Sequence, residues 1–87
     1  MRHDVVWTAR AFRRLEKIWD EAYDREAIAH AVDRIQDHLA VDASLKGESR
    51  PEGLRVFFAA PLGVVFWTNE RTTEVEIVDV WAFRSTA

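Results

Sequence analysis

Leu54-Arg55-Val56-Phe57-Phe58-Ala59-Ala60-Pro61-Leu62-Gly63-Val64-Val65-Phe66-Trp67-Thr68 reads as two β-strands, over 54–59 and 64–68, joined by a short turn at 60–63. The second of them, Val64-Val65-Phe66-Trp67, is apolar on both faces, so it predicts a central strand with cover on each side. A third β-like run follows over 74–83, after the turn residues Asn69-Glu70-Arg71-Thr72-Thr73. Connections this short imply an antiparallel meander. In the first run Leu54, Val56 and Phe58 alternate against Arg55, Phe57 and Ala59, which points Arg55 toward the open side of the sheet. In the last, Val75, Ile77, Asp79, Trp81 and Phe83 share one face and Glu76, Val78, Val80 and Ala82 the other, leaving Asp79 among apolar neighbours.

Upstream of the meander the period changes. Asp4-Val5-Val6-Trp7-Thr8 is β-branched and aromatic, as a first strand would be, and Thr8 is placed to cap a helix. Phe12, Leu15, Trp19 and Ala22, with Ala11 and Ile18 beside them, recur at helical spacing, and Arg10, Arg13, Arg14 and Lys17 fill the other side. Asp24 then predicts the N-cap of a second helix with the apolar face Ile28, Ala31, Val32, Ile35 and Leu39. Two such helices joined by a short turn make a hairpin. Between Ala40 and Gly53 the pattern stops. Gly47-Glu48-Ser49-Arg50-Pro51-Glu52-Gly53 is expected to be solvated and the most mobile segment.

The expected fold class is therefore α+β, in the order β-α-α-β-β-β, with the helical hairpin packed on one face of a small antiparallel sheet of four strands. With 87 residues, 48% of them hydrophobic, the chain is expected to form a single domain spanning 1–87. No apolar run approaches the ~20 residues of a membrane span, and the N-terminus lacks the long apolar stretch of a signal peptide, so no membrane partner and a cytoplasmic location are expected. The absence of cysteine removes disulfides, thiol nucleophiles and thiolate metal sites. A net charge of −3 argues against broad nucleic-acid binding through phosphate neutralisation. His30, Arg34 and His38 form a stripe on the second helix, but histidines eight residues apart lie about 12 Å apart along the axis, too far to share one ion. No metal and no cofactor are expected. The histidines read as surface or boundary residues, and the four tryptophans as core.

The pattern resembles the RelE/ParE superfamily of toxins from type II toxin–antitoxin systems, over nearly the whole chain. The resemblance is carried by Val6-Trp7-Thr8 with Ala11, Leu15 and Ile18; by Ala27-Ile28 with Ile35 and Leu39; and by Gly53-Leu54-Arg55, Pro61-Leu62, Val64-Val65-Phe66 and Val75-Glu76-Ile77-Val78-Asp79-Val80. It implies a small toxin held inactive by a cognate antitoxin. The RelE-like branch cuts mRNA on the ribosome, and the ParE-like branch poisons DNA gyrase without being a nuclease.

RNA cleavage needs cations for the phosphorane-like transition state and a proton for the leaving group. By the resemblance, Arg55 stands where the family commonly has a basic residue, with Arg84 and Arg50 as further catalytic candidates. Other family cations are replaced: Phe57 stands two residues after Arg55, Gly63 or Val64 opens the third strand, and Asp79 and Ala82 occupy the last one. The only tyrosine is Tyr23, whereas the RelE-like branch often has one at the C-terminus. Two readings of Arg55 stay open, a phosphate contact or an ion pair with Asp79 across the sheet. The cluster of Arg10, Arg13, Arg14 and Lys17 is either an RNA or antitoxin contact or a solvated face paired with Glu16, Asp20 and Glu21. Phe57 and Trp81, if exposed, are the expected partner-binding anchors. A second function class is a non-toxic, catalytically degenerate protein-binding module of the same fold.

Overall fold

The computed structural model describes residues 2–41, 43, 48–49 and 51–83. The chain runs β1 (Asp4–Trp7), α1 (Ala9–Glu21), α2 (Arg25–Leu39), β2 (Glu48–Ser49), a 3-10 turn at Pro51–Gly53, β3 (Arg55–Ala59), β4 (Leu62–Asn69) and β5 (Glu74–Ala82). Both helices start where the capping residues predict. Thr8 Oγ1 accepts from the Ala11 amide at 3.2 Å, and Asp24 Oδ1 accepts from the Ala27 amide at 3.1 Å, each satisfying an amide that the first turn leaves without a partner.

The strands form one sheet in the order β1-β5-β4-β3-β2, so β4 is central, as its two-sided apolar sequence requires. The α+β architecture is as expected, with two differences. The sheet has five strands and is mixed: β1 pairs with β5 in parallel, Val5 opposite Val75 and Trp7 opposite Ile77, because the two helices return the chain before β5 is reached. The fifth strand is Glu48–Ser49, which pairs antiparallel with Val56 and Arg55 inside the segment read as loop. Two exposed residues carry no periodicity for a sequence reading to find. Of the expected mobile stretch, Gly47 and Arg50 lie outside the described residues, as do residues 42, 44–46 and 84–87.

A β-bulge in β5 overturns the expected alternation. The register with β4 passes from Phe66↔Ile77 to Val65↔Asp79, leaving Val78 without an opposite number. One extra residue reverses the parity of everything after it. Val75, Ile77 and Val80 consequently face the core together, while Asp79 and Trp81 turn to the opposite side with Glu76.

The core lies between the helices and one sheet face. Ile28, Ala31, Ile35 and Leu39 of α2 and Ala11 of α1 pack with Leu62, Val64, Phe66, Val75, Ile77 and Val80, and Leu15, Ile18 and Ala22 close the α1 side. Phe12 and Trp19, expected in the same stripe, stay 52% and 40% exposed on the flank of α1. None of the four indoles is buried; Trp7, Trp67 and Trp81 sit half-buried at the boundary, because a side chain this large reaches past the core of so small a sheet. His3, expected at the surface or boundary, is buried: its amide donates to Ala40 O at 2.7 Å, which draws the residue under the end of α2.

Candidate functional site

The sheet face opposite the helices is set by strand parity. Phe58 of β3, Gly63, Val65 and Trp67 of β4, Glu74, Glu76, Asp79 and Trp81 of β5, and Asp4 and Val6 of β1 all project there. At one end Phe58, 51% exposed, meets Trp81 and Phe83 edge to face, with ring centroids 5.9 and 5.8 Å apart. The Trp81 indole lies flat on Gly63; a Cβ at that glycine would stand 2.5 Å from Trp81 Cζ2. At the other end Trp67 Nε1 donates to Glu76 Oε2 at 3.1 Å, and Asp4 stands opposite Glu74 in the parallel ladder. Among the described residues, no lysine or arginine occupies a strand position on this face.

The cations lie elsewhere. Arg55 stands opposite Phe66, on the parity of Phe57 and Ala59, so it is on the helix side of the sheet and not on the open side. Its Nη1 donates to Ser49 Oγ at 2.8 Å. Both parities of β3 are apolar in sequence, and the pairing of Phe58 with the bare Gly63 decides between them. Nor does Arg55 pair with Asp79. The bulge delivers Asp79 to α1, where Oδ1 accepts from the Val80 amide at 2.9 Å and lies 3.4 Å from Arg14 Nε, while Oδ2 lies 3.6 Å from Arg10 Nη2. Arg14 Nε also lies 3.3 Å from Val80 O, at the stretch of β5 that β1 leaves uncovered. The basic side of α1 is thus anchored to the sheet at two of its cations. Arg13 is exposed and donates to Ala9 O of its own helix. Arg50 and Arg84, the other two catalytic candidates, lie outside the described residues.

Of the expected anchors, Trp81 is on the open face, whereas Phe57 is half-buried on the helix side, its ring 5.5 Å from His38. Phe58 is the exposed anchor that sequence reasoning passed over; its register opposite Gly63, in a two-residue turn hairpin, is the signal that finds it. His30 and His38 are exposed, and among the described residues no cluster of three or more His, Asp or Glu side chains is placed to hold a metal ion. Among the described residues, no helix is long and apolar enough to cross a membrane.

Of the concavities that flank the helices, two carry exposed aromatic side chains. A groove of about 230 Å³ between α1 and α2 is floored by Leu15, Ile28 and Val32, walled by Phe12 and Trp19, and rimmed by Glu16 and Asp20. A wider one, of about 720 Å³, lies where the α1–α2 turn approaches Pro61 and the end of β5, with Arg14, Lys17, Tyr23 and Trp81 on its walls.

No family model matches this chain, and no curated protein matches it significantly in sequence. Solved structures do match. A chain of the toxin–antitoxin complex RelBE2 from Mycobacterium tuberculosis superposes with a TM-score of 0.76 at 20% identity, over 94% of this chain and 92% of that one. A chain of the chromosomal ParDE TA system from P. aeruginosa gives 0.67 at 20% identity, over 95% and 98%. A chain of the archaeal RelE–RelB complex from Pyrococcus horikoshii OT3 gives 0.67 at 12% identity, over 99% and 100%. The chain has the RelE/ParE-like fold.

Proposed function

We propose that residues 1–87 act as one domain, the toxin component of a type II toxin–antitoxin pair, restrained in the cytoplasm by a cognate antitoxin, and that the toxin works by occupying a protein target and not by cutting RNA. The observation that carries the first half is the match, over more than nine-tenths of each chain, to three toxin–antitoxin complexes. The second half rests on the open sheet face. Cleavage requires cations at the transferring phosphoryl group, and the described residues of that face supply carboxylates and aromatic rings. Of the two actions that the family resemblance implies, poisoning of DNA gyrase fits such a surface better than ribosome-dependent mRNA cleavage.

The groove between α1 and α2 suits the antitoxin. Its apolar floor and its exposed Phe12 and Trp19 match the apolar stripe of an amphipathic helix laid along it. Arg13 and Arg14 stand in this reading at the flank of the antitoxin, and Trp81 belongs to the open face.

The test is growth after induction of this chain alone, with the product of any adjacent small gene, and as the Arg55→Ala variant. The expected result is arrest, relief by the neighbour, and undiminished arrest in Arg55→Ala. Loss of arrest in Arg55→Ala would transfer the activity to phosphate chemistry at Arg55, with Arg50 and Arg84 as its remaining cations. Unimpeded growth with a folded product would leave the non-toxic binding module, which the half-exposed Phe58 and the Trp81 beside it on the open face also favour.

A further inference from the structure

We infer that the open sheet face is a docking surface for a cationic polypeptide segment, one that carries arginine or lysine a few residues away from a large apolar side chain. The inference stands on this face alone and does not depend on the toxin reading.

The face has two chemically distinct ends. The exposed Phe58 and the half-buried Trp81 and Phe83 form an aromatic group at one, and aromatic side chains on a solvent-facing sheet are the usual anchors of protein interfaces. At the other, Asp4, Glu74 and Glu76 bring three carboxylates onto adjacent positions of β1 and β5, beside the half-buried indole of Trp67. The Trp67–Glu76 hydrogen bond holds a ring face and a carboxylate side by side, which offers a guanidinium or ammonium both charge pairing and cation–π contact. No lysine or arginine among the described residues of the face offsets these charges; Asp79, midway, is already engaged by Arg10 and Arg14. Charge complementarity therefore selects a basic partner, and it excludes a phosphate backbone or an anionic lipid surface.

The spacing narrows the partner further. From Glu76 to Trp81 along β5 is about 15 Å at ~3.3 Å per residue, so an extended ligand places its cation and its apolar anchor four to five residues apart. Both ends also lie on one continuous face, and Gly63 and Val65 keep the path between them low.

The experiment is an amide and indole NMR titration of the isotopically labelled chain. Its ligand is a short capped peptide with two arginines followed, about five residues on, by two leucines. A peptide with glutamates for the arginines and a short single-stranded RNA serve as controls. Expected are shifts at Phe58, Gly63, Glu76 and the indole Nε1 signals of Trp67 and Trp81, with affinity falling about ten-fold in Glu74→Lys/Glu76→Lys and in Phe58→Ser. Asp33→Lys/Asp37→Lys, which changes net charge equally but at exposed positions of α2, should leave affinity within about two-fold. Glu74→Gln/Glu76→Gln keeps shape while removing charge and stands in if the reversal variant unfolds. Equal weakening by the helix variant would mean mere net-charge attraction and overturn the inference. So would shifts on the helices, preferential binding of the RNA, concentration-dependent shifts without peptide from self-association, or no shifts at all.

Discussion

At the scale of single residues, His3 and Gly63 state the character of this molecule most sharply. His3 is buried, and neither Nδ1 nor Nε2 has a hydrogen-bond partner among the described residues; Glu70 Oε2 comes no nearer to Nε2 than 3.8 Å. A buried polar ring without partners is costly, and an apolar side chain of similar volume removes the cost. His3→Leu should accordingly fold at least as stably as the parent, its urea midpoint unchanged or raised; a drop of more than about 1 kcal/mol would reveal a favourable interaction at that imidazole. Gly63 presents the opposite case. A methyl group there meets the Trp81 ring, so Gly63→Ala should lever the indole off the sheet at a cost of about 1–3 kcal/mol. A red shift in tryptophan emission together with the lower midpoint would report it. Arg55 shows how far a side chain can be read in advance. Its residue type suggested phosphate chemistry, but its position depended on parity, and parity in β3 is invisible when Val56, Phe57, Phe58 and Ala59 are all apolar.

At the scale of elements, legibility follows periodicity. Both helices, both N-caps and the core stripe of α2 stood in the sequence because a 3.6-residue period and capping oxygens are local properties. The central place of β4 was legible for the same reason. What escaped were the two-residue β2, the parallel β1–β5 ladder and the bulge at Val78, whereas the antiparallel order of β3, β4 and β5 was legible from their short connections. The bulge has the largest consequence. It puts Val80 in the core with Ile77 and frees Asp79 to reach α1, so one residue decides which side the end of β5 presents. Deleting Val78 should therefore be tolerated, because it leaves Ile77 facing the core, Asp79 the open side and Val80 the core in unbroken alternation. Val78→Ala and the deletion are both expected to unfold cooperatively by circular dichroism, at a cost of about 1 kcal/mol each. Loss of the cooperative transition in the deletion variant would show that the local bend at the bulge is itself needed to hold β5 to the sheet.

At the scale of the whole molecule, the sheet is closed by contacts between distant parts of the chain. Thr8 Oγ1 donates to Ile77 O at 3.1 Å across a separation of 69 residues, and the whole of β1 pairs only with β5. The α1–α2 hairpin and the β3–β4–β5 meander are local by comparison, so loop-closure entropy sets the β1–β5 ladder last. Val5→Ala should then act mainly on unfolding: a loss of about 1 kcal/mol appearing as faster unfolding with little change in refolding. Slowed refolding of similar size in stopped-flow measurements would place β1 in the folding nucleus instead. The same ladder bears on synthesis. While a ribosome is still translating residues before Ile77, β1 has no strand to join, and Trp7 and the start of α1 lack the neighbour that fixes them. A nascent chain thus carries β1 unmatched until the residues of β5 have emerged. The interval before closure gives a chaperone or binding partner access to an N-terminal segment that the finished sheet withdraws.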